Sequence, residues 1–181
     1  QYIGCIDVAK RILESMGKEV FVGTGDARTK YPGQVLGCNC SSAYAVSEDV
    51  DVFLYIGEGD FHPLAAAFGV NKPIRVLNPV TGELRSVDDV KDRILRKRFA
   101  MITSASDAER FLVIVCDKIG QRRDAVANDL IEKIRSVGKT AYKIYMNELA
   151  PQNLLAYDVD AYVCTACPRI AMDDSARYSR P

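Results

Sequence analysis

Four of the six cysteines stand in two short pairs, Cys38-Asn-Cys40 and Cys164-Thr-Ala-Cys167. Thiolates so spaced select zinc, iron–sulfur clusters or one another. A structural zinc would take all four in a closed tetrahedron. A dithiol redox pair would use Cys164 and Cys167, although that motif normally opens a helix. An iron–sulfur cluster would take some of them, with the rest as neighbours. Core packing would use none. Spacing alone leaves these four readings open. Cys5 and Cys116 lie within helical or strand patterns and read as small buried hydrophobes.

Two further stretches carry binding chemistry. In Gly57-Glu-Gly59-Asp60-Phe61-His62-Pro63, glycines after a strand let backbone N–H groups face a ligand, and the helix start that follows favours an anion. A carboxylate or a phosphate fits, although many α/β turns carry two glycines for steric reasons alone. His62 could donate to that ligand or act as acid or base, or be only a half-exposed first-turn residue. In Lys118-Ile-Gly120-Gln121-Arg122-Arg123, Gln121 could bind an amide or hydroxyl and the arginines a carboxylate. The plain alternative is a solvated turn. Asp173-Asp174 reads as a solvated terminus. No Walker loop, Ser-His-Asp order or complete dinucleotide fingerprint occurs.

Composition narrows the setting. Lys plus Arg equals Asp plus Glu at 24 each, and no long basic run offers a footprint for nucleic acid. No apolar run reaches membrane-spanning length. Cysteines without secretory features favour a reduced, cytoplasmic setting. The single histidine, His62, excludes His-rich zinc sites. The chain opens on Gln1 and closes on Ser175-Ala-Arg-Tyr-Ser-Arg-Pro181, which we read as the marks of a fragment.

These residues need elements to position them. Val8, Ala9, Ile12, Leu13 and Met16 recur at helical spacing, with Gly17 as the stop. Glu19–Gly23, Val50–Gly57 and Pro73–Pro79 read as strands, and Val80-Thr-Gly-Glu as a turn. Asp60 is the expected N-cap of the next helix, with Pro63 in its first turn. From Val87 to about Arg110 the pattern is helical and charged, with Ile94, Leu95, Phe99 and Ile102 expected inward. Phe111–Cys116, Thr140–Tyr145 and Ala161–Cys164 read as strands. Arg122–Val137 and Glu148–Leu155 read as helices. Alternation of this kind predicts α/β architecture, with parallel sheets flanked by helices.

The chain also repeats itself. Ser15-Met-Gly-Lys18 recurs as Ser136-Val-Gly-Lys139, and Asp49-Val-Asp-Val-Phe-Leu54 as Asp158-Val-Asp-Ala-Tyr-Val163, in the same order. Two homologous units follow, 1–105 with the first cysteine loop and the glycine turn, and 106–181 with the second cysteine loop. Ligands of such units bind beyond the carboxyl ends of the strands, which predicts one thiol-bearing cleft shared by the halves.

Taken together, Tyr31-Pro-Gly-Gln-Val-Leu-Gly-Cys38, Gly57-x-Gly59-x-Phe-His-Pro63, Leu95-Arg-Lys-Arg98, Gly120-Gln121 and Thr165-Ala-Cys167-Pro-Arg-Ile-Ala-x-Asp-Asp174 resemble the archaeal-type catalytic subunit of diphthamide synthase. The resemblance runs over nearly the whole chain. It implies a family of three homologous α/β domains, each giving one cysteine to a [4Fe-4S] cluster. Carried over by motif, Cys38 is the middle domain's ligand and Cys167 the last domain's, with the third in an N-terminal domain missing here. Cys40 and Cys164 fall outside the matched ligand positions.

The resemblance further implies transfer of the 3-amino-3-carboxypropyl group of S-adenosylmethionine to a histidine of elongation factor 2, by a radical generated at the cluster. Gly57, Gly59, His62 and Gln121 are the expected S-adenosylmethionine contacts. A homodimer and an electron donor are the expected partners, and the fragment alone is expected to be inactive.

Overall fold

The computed structural model describes residues 2–181, except the side chains of residues 171–173. The chain divides into two compact units, one up to Ile94 and one from Leu95 to Pro181. Among the described residues, no helix is long and apolar enough to cross a membrane.

The first unit opens with α1 (Cys5–Ser15). Gly17, at φ 74°, ends it, and the Lys18 N–H donates back to the Leu13 carbonyl at 3.0 Å. This left-handed stop needs glycine, because a side chain there would be strained. None of α1 is buried, and Val8, Ile12 and Met16 are exposed, contrary to a core-facing stripe.

The expected strand at Glu19–Gly23 is absent; that stretch carries no ladder. In the repeat it matches a strand of the second unit. Here the Gly23 carbonyl accepts instead from the Gly33 N–H of the Pro-Gly turn, at 2.8 Å.

After the short helix α2 (Ser41–Tyr44) comes a mixed three-stranded sheet of β1 (Phe53–Ile56), β2 (Ile74–Leu77) and β3 (Leu84–Ser86), in that order. β1 and β2 run parallel, with Phe53 opposite Ile74. Between them α3 (Phe61–Ala67) packs on β2, burying Leu64, Ala66 and Ala67 with Ile74 and Val76.

β3 was not expected. Asn78 Oδ1 accepts the N–H groups of Val80 and Thr81, Gly82 takes φ 73°, and the chain returns antiparallel with Arg85 opposite Val76. The sheet is therefore mixed where a parallel one was predicted.

Helix α4 (Asp88–Ser104) spans the division between the units. Leu95, Phe99 and Ile102 are exposed, so the inward face expected of it is not formed. Eight of its seventeen residues are charged, and the few apolar ones make no covered stripe.

The second unit is a parallel sheet of β4 (Arg110–Cys116), β5 (Thr140–Met146) and β6 (Ala161–Cys164), in the order β5-β4-β6. Helix α5 (Asp124–Ser136) joins β4 to β5 and ends at Gly138, φ 82°, by the same stop as α1. Residues of β4 alternate between two cores. Val113 and Val115 pack with Ala127, Ile131 and Ala141. Leu112 and Ile114 pack with Val159 and with Leu154 of α6 (Pro151–Leu154). Each fully buried Val or Ile contributes about 1.5–3 kcal/mol. Helix α7 (Pro168–Asp173) follows β6.

Candidate functional site: a thiol turn and a glycine turn in the first unit, a thiol turn in the second

Cys38 sits at the tip of a tight turn. Leu36 and Asn39 exchange both backbone hydrogen bonds, at 2.8 and 3.0 Å, leaving Gly37 and Cys38 as the central residues. The preceding Tyr31-Pro32-Gly33-Gln34 is a type II turn, with Pro32 second and Gly33 third at φ 73°. Gly37 is required by space: a Cβ there would lie 1.8 Å from Phe61 Cε1. The thiol turn thus rests on the first turn of α3. Tyr44 repeats the device further on, its ring against Gly69, where a Cβ would meet the Tyr44 hydroxyl at 2.2 Å.

Polar bonds hold the same loop from below. Asn39, 5% exposed, donates to Asp26 Oδ1 at 2.7 Å, and its own Oδ1 accepts the Ser41 N–H. Arg28 and Asn39 hold the Asp26 carboxyl down at about 2. The two neighbouring cysteines have opposite fates. Cys38 is exposed. Cys40 is buried, its thiol 3.7 Å from the Leu36 carbonyl, and burial pushes it up to about 11. A thiol so placed is a poor thiolate in the metal-free chain and a slow nucleophile.

The glycine turn is in the same unit. Gly59 takes φ 70°, and a Cβ there would meet nothing within 4 Å, so the space beside its α-carbon is open. Asp60 occupies the N-cap position of α3 but makes no side-chain cap bond. Its carboxylate pairs instead with Arg85, whose second nitrogen donates to the Gly59 carbonyl at 3.2 Å. Sequence reasoning missed Arg85, since nothing in a charged residue 25 positions away marks it as Asp60's partner. His62 stands in the first turn of α3, half-buried, with its ring edge-on to Phe61 at 5.5 Å.

In the second unit, β4 sends its connection to β5 on one side while β6 lies on the other. The carboxyl ends of β4 and β6 therefore form the switch point at which α/β sheets take ligands. Thr165, buried, fixes the loop there: its N–H and its hydroxyl both donate to the Ile114 carbonyl, at 3.0 and 2.9 Å. Cys167 follows as the N-cap residue of α7 and is half-buried. Cys164 ends β6, and burial raises its thiol against a hydrogen bond from the Ala166 N–H. A redox pair needs a depressed first thiol, and Cys164 has the reverse. Cys116, 2% exposed, is core, as expected.

Gln121 closes a turn in which its N–H donates to the Lys118 carbonyl at 3.0 Å, with Gly120 at φ 79°. Arg122 is committed to Asp117 and Asp124. Tyr145, Arg122 and Lys143 together hold the Asp124 carboxyl far below its usual range. Asp174 pairs with Arg177, and the side chain of Asp173 lies outside the described residues. Within each unit, no three described His, Cys, Asp or Glu residues are gathered as a metal cage. Each unit does offer one cysteine on a turn held by packing or hydrogen bonds, Cys38 in the first and Cys167 in the second.

These features define an α/β protein with a cysteine turn in each unit and a glycine turn after the first strand. The family model for putative diphthamide synthesis proteins matches residues 1–181. A 2-(3-amino-3-carboxypropyl)histidine synthase of Pyrococcus horikoshii is 40% identical over 181 residues, all of this chain and 52% of that relative. Subunit 1 of the Gallus gallus synthase is 27% identical over 184 residues, 100% of this chain and 43% of that one. A crystal structure of Dph2 from Pyrococcus horikoshii with a 4Fe-4S cluster superposes with TM-score 0.87 and 39% identity, over 99% of this chain and 50% of that one. The chain belongs to the diphthamide synthesis family. It spans about half the length of the relatives it matches.

Proposed function

We propose that this chain is part of a 3-amino-3-carboxypropyltransferase, in which Cys38 and Cys167 are cluster ligands and a third thiolate comes from elsewhere in the full-length protein. The observation that carries the reading is the sorting of the thiols. Cys38 is exposed at the tip of a turn closed by two backbone hydrogen bonds, while Cys40 and Cys116 are buried and burial raises Cys164. Three thiolates leave one iron of a [4Fe-4S] cluster open to substrate. When bound, the cluster would supply the one electron needed to cleave the sulfonium bond of S-adenosylmethionine, giving methylthioadenosine and a 3-amino-3-carboxypropyl radical; that radical would add to an imidazole carbon of an elongation factor 2 histidine, and the adduct would lose a proton to solvent and an electron back to the oxidised cluster.

The chain's own residues bind and orient. The open space beside the Gly59 α-carbon and the first turn of α3 suit the methionyl carboxylate. Fixing that group selects which carbon–sulfur bond stands in line for cleavage. Gly57, whose missing side chain leaves room for the Tyr55 ring, is assigned to the same turn, and His62 and Gln121 as further contacts. A homodimer, a separate electron donor and the cytoplasm complete the proposal.

The test is iron content and turnover in a full-length chain carrying this sequence. Cys38→Ala or Cys167→Ala should remove most iron and all turnover, whereas Cys40→Ala and Cys164→Ala should keep most iron. Iron loss in Cys40→Ala as complete as in Cys38→Ala would overturn the ligand assignment, and a colourless full-length protein holding one tight zinc would favour the structural-zinc reading.

A further inference from the structure

β3 has three residues, and only the middle one turns inward. Leu84 and Ser86 are exposed, while the Arg85 side chain keeps 28% of its surface. An edge strand this short adds little sheet. What it does is hold one arginine beside the glycine turn. Arg85 Nη1 pairs with the Asp60 carboxylate and Nη2 donates to the Gly59 carbonyl at 3.2 Å, so one planar guanidinium grips two successive residues. Asp60 is thereby drawn out of the capping role its position offers. Gly59 at φ 70° has no packed neighbour within 4 Å of its missing side chain.

We infer that Arg85 is a positioning residue that fixes the Gly57–Gly59 turn for the methionyl carboxylate of S-adenosylmethionine. The inference rests on the reading of that turn given above. Lysine cannot replace the fork, because one ammonium on a flexible stem does not hold both oxygens in a fixed plane.

The experiment is anaerobic calorimetry on the full-length holoenzyme, with S-adenosylmethionine and with methylthioadenosine, which lacks the amino-acid end. Cluster absorbance serves as the control for an intact centre. Arg85→Met should weaken S-adenosylmethionine about 10- to 100-fold, the effect of losing a charge-assisted hydrogen bond. Arg85→Lys, the variant that best preserves folding, should recover only part of this. Methylthioadenosine should bind both variants as it binds the parent. Equal weakening of both ligands would show general damage to the fold and overturn the inference. Unchanged S-adenosylmethionine affinity in Arg85→Met, with binding abolished in Gly59→Val, would overturn it while leaving the turn as the site. Unchanged affinity in both variants would overturn the site as well.

Discussion

Gly37→Ala tests how the thiol turn is held. The added Cβ would stand 1.8 Å from Phe61 Cε1, 2.6 Å from Cζ and 2.8 Å from Cδ1. To reach the ordinary contact distance of 3.4 Å, the ring or the turn must retreat by about 1.6 Å. Overpacking of this kind costs about 1–3 kcal/mol, the lower end applying if the half-buried ring swings into solvent. For a chain of this size each kcal/mol lowers Tm by about 2–4 °C, so the expected loss is roughly 2–12 °C.

The assay is calorimetric Tm in a double-mutant cycle with Phe61→Ala. Removing the ring should abolish most of the cost of Gly37→Ala, leaving a coupling of at least about 0.5 kcal/mol. Gly4→Ala is the control: Gly4 sits at φ −66°, ψ −14°, and its Cβ would meet nothing within 4 Å. Additive effects in the cycle, or a Tm for Gly37→Ala within about 1 °C of the parent, would refute the packing of the turn on α3.

Two further predictions follow from burial and charge. Iodoacetamide under mildly alkaline conditions, read by peptide mass spectrometry, should label Cys38 first and Cys40 and Cys116 only on unfolding; equal rates at Cys38 and Cys40 would contradict the burial of Cys40 at 3% exposure. Asp26 and Asp160 are both lowered from 3.8 to about 2, Asp26 by Arg28 and Asp160 by Arg110, so the stability they contribute is complete above pH 3.8 and lost as pH falls through about 2. Urea midpoints should therefore drop across that window, and Asp160→Asn should flatten the drop; an unaltered slope would remove the Arg110 pairing as its cause.

Strands with β-branched or aromatic runs were legible because burial on both faces demands such runs: Phe111–Cys116 and Ala161–Cys164 are examples. The glycine stops were legible because a left-handed residue after a helix has few alternatives. Three things were not legible. Glu19–Gly23 has strand composition, but a strand exists only with a neighbour, and composition does not say whether one is present. β3 has three residues, too few for a periodicity to show. At Gly37, the ring that excludes every other residue comes from Phe61, 24 positions on. Cys38 and Cys167 were singled out through family motifs; what the fold adds is a physical difference between Cys38 and its neighbour Cys40.

The repeat explains why the frame was easier to read than the site. In the second unit, Asp160 of the Asp-Val-Asp signature accepts the N–H groups of Glu109 and Arg110 and pairs with the Arg110 side chain, tying the start of β6 to the start of β4. The same signature opens β1 in the first unit, and in both units the strand it opens runs through a short turn into a helix, α3 or α7. Those two turns are counterparts, and their chemistry has diverged. After β1 it is Gly57-Glu-Gly59, with a glycine backbone gripped by Arg85. After β6 it is Thr165-Ala-Cys167, with Thr165 bound to Ile114 and a thiol at the N-cap position. The first unit's thiol lies ahead of β1, on the loop that follows the segment Glu19–Gly23. The two units thus share the helix stop, one strand and the strand–turn–helix order, although the match of β5, Glu19–Gly23, is not a strand. They differ in which turn carries sulfur and which a glycine backbone, because a surface turn can exchange one for the other without disturbing the core.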